Sequence, residues 1–391
     1  MRRQRFDGVD SLRGLAALSV IAYHVSFSFR LGSDSPWAFL SQRLAGPPIP
    51  GVVLFFLISG FVLYRPFVLA RLAGRPLPPL LPYAIRRAAR ILPAYWVALA
   101  LVTAWLGLHE VMSLRGAVTY FGFLQLYSTN PSTVTGGIGP AWTLCVEVTF
   151  YALLPLLALS VRRIAGAGAR STVRSELTMC AALALVAVGW EVAIPAVVPV
   201  GNAWWGTVFV LWWLPGCLDL FAAGMALAVL SASVELRGGD PPAWLERAPW
   251  VAWMLAAISL YGASAIQTVA RPHFTLWWLS SHELKALGAA MLLVPAIFGT
   301  RGGLRRVLAS RPLVWLGTIS YGIYLWHLPI FDKFASRLVP HGQVVTTLVV
   351  TCLTLAAASA SFYLVERPAQ RLARAYLRRR VPAQELAIAS R

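Results

Sequence analysis

Apolar residues run along this chain in blocks long enough to cross hydrocarbon, separated by short polar connections. About ten blocks stand out: 11–29, 51–70, 91–108, 142–161, 177–200, 207–229, 250–268, 284–298, 313–331 and 344–364. A block of about 20 apolar residues spans a bilayer as an α-helix. The blocks are continuously apolar and do not alternate every second residue, so they predict helices and exclude a barrel. The eighth block is the shortest. The pattern predicts an all-α, polytopic transmembrane helical bundle of about ten spans, a multi-pass protein of the cell membrane.

Composition agrees: 58% of the 391 residues are hydrophobic and 13% charged, unlike a water-soluble globule. The formal net charge of +19 raises a nucleic-acid reading, which the placement of the arginines argues against. Arg2, Arg3 and Arg5 precede the first span; Arg71, Arg75, Arg86, Arg87 and Arg90 separate spans two and three; Arg162, Arg163, Arg170 and Arg174 follow span four. Further sets, Arg301, Arg305, Arg306 and Arg311, then Arg371, Arg374, Arg378, Arg379 and Arg380, continue at every second connection. By the positive-inside rule this places both termini in the cytoplasm and requires an even number of spans.

No cleavable signal pattern precedes the first span, which is therefore expected to be retained. The expected organisation is a membrane domain over residues 1–370 and a basic cytoplasmic tail over 371–391, held at the interface by anionic lipid. Cys145, Cys180, Cys217 and Cys352 show no metal or disulfide spacing and read as small packing residues. The longest outer connection, 110–141, contains YFGFLQLY and then TGGIGP, which suggests a partly inserted loop.

Against this apolar background a few ionisable residues stand out, because each is costly to place in a bilayer. In SLRGLAALSVIAYHVSFSF, Arg13 and His24 are eleven residues apart. That spacing is about three helical turns and a rise of roughly 16 Å, which puts both on one face with His24 the deeper. Glu147 in span four has Tyr151 one turn on along the same face. Span nine carries Ser320, Tyr321, Tyr324 and His327. Glu191 and Asp219 are further intramembrane carboxylates whose partners the sequence does not assign. Glu366 and Arg367 read as an ion pair at the inner boundary. Tryptophans 204, 205, 212, 213, 277 and 278 fit interfacial belts better than sugar-stacking platforms.

Six segments in order carry a resemblance: FDGVDSLRGLAALSVIAYH, FFLISGFVL, RRAARILPAYW, AWTLCVEVTFYALLP, ISYGIYLWHLP and VERP. Together they resemble the acyltransferase-3 family of integral membrane O-acyltransferases, nearly end to end. The chain stops soon after span ten, like members without an appended soluble domain. The resemblance implies transfer of an acyl group, acetyl or another short acyl, from acyl-coenzyme A on the cytoplasmic side. The acceptor would be a hydroxyl of a carbohydrate, a glycolipid or a hydrophobic, macrolide-like metabolite; no metal and no nucleic acid are implied.

Under that reading neutral imidazole is suited to take the hydroxyl proton near pH 7, and His24 is the expected general base. Arg13 stays protonated and is expected to hold phosphate or stabilise developing negative charge, with Arg86, Arg87 and Arg90 clamping the coenzyme's phosphates. Arg86 and Arg90, four apart, share one helical face. Glu147 is assigned to acceptor binding or active-site support, and Tyr151, Tyr321, Tyr324 and His327 to the acceptor's side. Direct attack and a relay through an acyl-imidazole both remain open. The rival reading is a proton-coupled transporter of a lipid-linked sugar or acid, with His24, Glu147, Glu191 and Asp219 forming the proton path.

Overall fold

Continuous apolar sequence leaves no water to satisfy the backbone, so each block closes its hydrogen bonds within a helix. The computed structural model describes residues 6–30, 50–128, 130–164, 169–198, 205–239, 243–268, 273–299 and 303–380. Arg2, Arg3, Arg5, Trp204, Arg301 and the last eleven residues of the basic tail lie outside the described residues.

The long helices are α1 (Asp7–Arg30), α2 (Pro50–Leu72), α3 (Leu80–Leu106), α4 (Trp142–Ile164), α5 (Ala169–Val197), α6 (Leu218–Leu236), α7 (Pro249–Thr268), α8 (Phe274–Phe298), α9 (Arg311–Leu338) and α10 (Gln343–Ser361). A π-helical turn, Phe362–Glu366, joins α10 to α11 (Arg367–Arg380). Among the described residues, eight helices are long and apolar enough to cross a membrane. α1 and α9 fall outside that set although they are 24 and 28 residues long. Both carry several charged residues, Asp7, Asp10 and Arg13 in α1 and Arg311, Asp332 and Lys333 in α9.

Two expected spans are corrected. The sixth, expected over 207–229, is broken: a short helix, Trp205–Leu211, ends before a 3-10 turn at Leu214–Cys217, and α6 starts only at Leu218. Pro215 lacks the N–H that a continuous helix would need there. The eighth is not short, because α8 begins at Phe274 and includes the polar run SSHELK. The 110–141 connection is a packed succession of short helical turns with Val111, Tyr120, Leu126, Val134 and Ile138 buried. Tyr95 donates to the Tyr120 carbonyl (2.9 Å) and Trp213 to the Leu126 carbonyl (3.0 Å), tying this plug to α3 and to the turn before α6.

Lipid tails are as apolar as leucine, so helices associate in a membrane through close packing and polar contacts. The central helix, α2, meets α6 backbone to backbone, with Gly60 against Phe221 and Gly224 against Leu57. The α1–α9 crossing repeats the device: Gly14 packs on Leu316 and Gly317, and Gly317 lies against the Asp10 backbone. Between α2, α4 and α5, fully buried Glu176 accepts hydrogen bonds from Tyr64 and Arg71 (2.5 Å to Arg71), and Arg71 also donates to the Ala158 carbonyl. Arg71 is therefore a buried structural partner as well as a marker of topology.

A second buried polar cluster ties α5, α6 and α8 together and supplies the partners of Glu191 and Asp219. His282 lies 2.8 Å from the Asp219 carboxylate and 3.3 Å from that of Glu191, which also accepts from the Trp278 indole at 2.9 Å. All three ionisable side chains are buried.

A Cβ at position 317 has no room against the Asp10 backbone, so Gly317→Val is expected to cost about 1–3 kcal/mol by overpacking. Thermal unfolding in detergent checks this, and an unchanged midpoint contradicts the packing. His282→Ala leaves the Asp219 and Glu191 carboxyl groups buried without the partner that both face, and the expected loss is about 1–3 kcal/mol by the same measurement.

Candidate active site

A partly open cavity of about 70 Å³ lies within the bundle, walled by α1, α2, α3, α4 and α9. Its ionisable lining is Arg13, Arg87, Arg90 and Glu147, and the hydroxyls of Ser59, Thr143, Tyr151, Ser320, Tyr321 and Tyr324 join them. Apolar walls come from α2 and α3, among them Val52, Phe55, Phe56 and Ile91.

Helical periodicity explains the convergence. Glu147 and Tyr151 are one turn apart, and the Tyr151 hydroxyl donates to the Glu147 carboxylate at 2.7 Å. The other carboxylate oxygen accepts from Ser59 of α2 at 3.2 Å. Arg13 and Arg90 are close enough to act on Glu147 electrostatically. Arg13 itself lies 3.5 Å from Asp10, one turn back. On α3 the cavity receives Arg87 and Arg90, three residues apart, and not Arg86. The face of α3 that meets the cavity runs through 87, 90 and 91, so of the three arginines expected at the donor site two line it. The Arg87 Nε atom is buried with no hydrogen-bond partner among the described residues.

At the α9 side the tyrosines are already engaged. Tyr321 donates to the Ile91 carbonyl at 3.0 Å. Tyr324 donates to the Pro140 carbonyl and accepts from Thr143, both at 2.8 Å. The tyrosines therefore fix the wall of the cavity, and Tyr324 fastens α9 to the 3-10 turn Gly139–Ala141 that leads into α4.

His24 and His327 do not line the cavity; they form a pair between α1 and α9. His24 Nδ1 and His327 Nε2 are 3.2 Å apart, and the rings are centred 5.0 Å from each other. The tautomers follow from the backbone acceptors. His327 Nδ1–H donates to the Tyr324 carbonyl at 2.8 Å, so its Nε2 accepts. His24 Nδ1–H is shared between the Val20 carbonyl at 3.0 Å and His327, so the His24 lone pair is on Nε2. The His327 ring lies 5.7 Å from the Tyr324 ring. The pair thus stands one residue beyond the cavity wall, linked to it through Tyr324.

The expected Glu366–Arg367 ion pair is absent among the described residues. Glu366 is buried at the π-helical turn and feels the charge of Arg90, and consecutive residues of a helix do not face each other. Arg367 covers the Tyr363 ring instead, at 5.8 Å. Sequence reasoning also missed Ser59 and Thr143, ordinary hydroxyls whose partners lie 88 and 181 residues away. It missed His282 too, because the polar run SSHELK was read as lying outside a span. Glu191 and Asp219 gather on His282, away from the α1–α9 interface that holds His24. Among the described residues, no group of three or more His, Cys, Asp and Glu side chains could hold a metal ion.

Comparison with known proteins gives a consistent picture. The chain is 23% identical over 381 residues to the peptidoglycan O-acetyltransferase OatA of Listeria monocytogenes, covering 94% of this chain and 56% of that protein. It is 27% identical over 354 residues to the acyltransferase MdmB of Streptomyces mycarofaciens, covering 85% of this chain and 81% of that one. Similarity to the exopolysaccharide production protein ExoZ of Rhizobium meliloti is 28% over 341 residues, covering 85% and 92%. The chain spans about half the length of the longer curated relatives it matches, 54% of one and 56% of another. No solved structure matches it. The acyltransferase domain family matches residues 6–366, an interval that runs from the first turn before α1 to the buried Glu366 and contains every wall of the cavity. This multi-pass membrane protein belongs to the acyltransferase-3 family.

Proposed function

We propose that the chain is an O-acyltransferase that moves a short acyl group from acyl-coenzyme A to the hydroxyl of a carbohydrate or a glycosylated, hydrophobic small acceptor. The observation that carries this reading is a cavity within the bundle in which three guanidiniums face a carboxylate and a set of hydroxyls. A polyanionic donor needs fixed cations, and an arginine with an unused buried donor, Arg87, supplies one. A hydroxylated acceptor needs a hydrogen-bonding surface, and Glu147 with Tyr151 and Ser59 supplies it. Relatives named for O-acetylation of peptidoglycan and for exopolysaccharide production support a carbohydrate acceptor.

In the proposed reaction the acceptor hydroxyl loses its proton to His24 Nε2 as its oxygen attacks the thioester carbonyl. The C–O bond forms, the C–S bond breaks, and the coenzyme thiolate leaves and takes the proton from the imidazolium. His327 accepts from His24 Nδ1–H, which fixes the tautomer and aims the ring. Tyr324, shared by the cavity wall and the histidine pair, is the element whose movement opens the cavity to His24. Arg13, Arg87 and Arg90 hold the donor and stabilise the negative charge that develops on the thioester oxygen. An acyl-imidazole relay would use the same nitrogen as nucleophile, with the acyl group passing to His24 and the thiolate leaving before the acceptor attacks.

Purified full-length protein, radiolabelled acetyl-, propionyl- or longer acyl-coenzyme A, and a panel of hydroxylated acceptors test the reading. His24→Ala is expected to lower ester formation by about 10²- to 10⁴-fold with the unfolding midpoint retained; wild-type rates in this variant remove His24 from the chemistry. Arg87→Gln is expected to raise the donor KM by roughly 10- to 100-fold, the value of one charge-assisted hydrogen bond, and to leave the acceptor KM unchanged. A shift in the acceptor KM instead would reverse the assignment of the two ends. Label retained on the protein when acceptor is omitted marks the relay, and its absence marks direct attack.

A further inference from the structure

A second concavity lies on the outside of the bundle, at the end where the arginines gather. It is an open groove lined by Asp7 of α1, by Arg311, Val314, Trp315 and Thr318 of α9, and by Phe362, Tyr363 and Arg367 around the π-helical turn. The α9 residues fall at i, i+3, i+4 and i+7, so one continuous face of that helix forms the floor. Its composition is divided. Arg311 and Arg367 are exposed guanidiniums at one end, whereas Trp315, 38% exposed, leaves apolar ring surface open beside them with Val314 and Phe362, and Tyr363 carries Arg367 over its ring. Arg311 is also the first residue of α9, and Ser310 makes no side-chain cap there, so the positive end of the helix adds to the same field.

We propose that this groove is a binding site for one anionic glycerophospholipid with a hydroxyl-bearing headgroup, the chemistry of phosphatidylglycerol. The phosphodiester is held by Arg311, Arg367 and the α9 N-terminus, and an acyl chain follows Trp315, Val314 and Phe362 along the outside of the bundle. Charge complementarity selects the phosphate, and apolar rings at the edge of the membrane select a molecule with tails over a free anion. Asp7 closes the groove on the α1 side, disfavours a doubly charged headgroup and offers an acceptor to headgroup hydroxyls. Both α1 and α9, the two helices that carry the histidine pair, contribute to the lining, so a lipid here touches both.

Native mass spectrometry of the full-length protein in detergent, titrated with phosphatidylglycerol or phosphatidylcholine, tests the site without reference to catalysis. The first phosphatidylglycerol is expected to bind more tightly than phosphatidylcholine. Its affinity is expected to fall roughly 10- to 30-fold in the double variant Arg311→Gln, Arg367→Gln, the effect of removing two arginines from an anionic lipid. The control Arg378→Gln, Arg379→Gln, on the exposed end of α11, is expected to change it less than about twofold. Both pairs are on the surface, and an unchanged unfolding midpoint without lipid shows that each variant is folded. Equal loss in both double variants would mean diffuse attraction to the basic end of the protein, and equal binding of the two lipids would mean no anion site; either result overturns the proposal.

Discussion

Charge held inside an apolar bilayer is the constraint on which the structure turns. An ionisable side chain in hydrocarbon is tolerated when it faces other polar groups or a water-accessible space. Arg13, Arg87, Arg90 and Glu147 arrive from three different helices, and they are tolerated together because they share one cavity with six hydroxyl-bearing side chains. The same rule explains the Glu176–Tyr64–Arg71 network and the His282 cluster, in which each buried charge meets its counterpart on a neighbouring helix. The helices are thus registered as much by these polar contacts as by apolar packing, which cannot distinguish a neighbouring helix from lipid.

From this constraint the division of labour in the bundle follows. α1 and α9 are too polar to pass as ordinary spans, yet they pack on each other through Gly14 and Gly317 and bring His24 against His327. Their ionisable groups are placed at different depths: Arg13 opens on the cavity, and His24 stands beyond its wall. Tyr324 belongs to both regions, with its hydroxyl fixed to Pro140 and its carbonyl to His327. In the proposed reaction that tyrosine is where the donor's chamber and the base have to meet.

The helical architecture was legible because a bilayer imposes a simple rule on sequence, and FFLISGFVL or LVTAWL satisfies it without reference to any partner. Boundaries were read wrongly where polar groups are buried inside the protein. SSHELK looked like a connection, yet His282 is buried in α8 because Asp219 and Glu191 meet it from α6 and α5. Pro215 broke a block that hydropathy alone treats as continuous. For the site, the ionisable residues and Tyr151, Tyr321 and Tyr324 stood out by their cost in a membrane. Their grouping did not: which arginine of 86, 87 and 90 faces inward depends on how α3 is rotated against its neighbours, and that is set by tertiary contacts. Ser59 and Thr143 carry no signal by themselves. The π-helical turn that ends at the buried Glu366 likewise has no local signature in FYLVE.

The central claim is that the arginine-lined cavity receives the donor and delivers its thioester to His24. A structure of the full-length protein with coenzyme A bound in a lipid nanodisc tests it most directly. The account predicts phosphate density against Arg87 and Arg90, the pantetheine arm running through the cavity, and the sulfur atom within reach of His24 with Tyr324 displaced. Coenzyme A bound outside the cavity, or its sulfur ending beside Glu147 with Tyr324 still closed over the histidine pair, would contradict it.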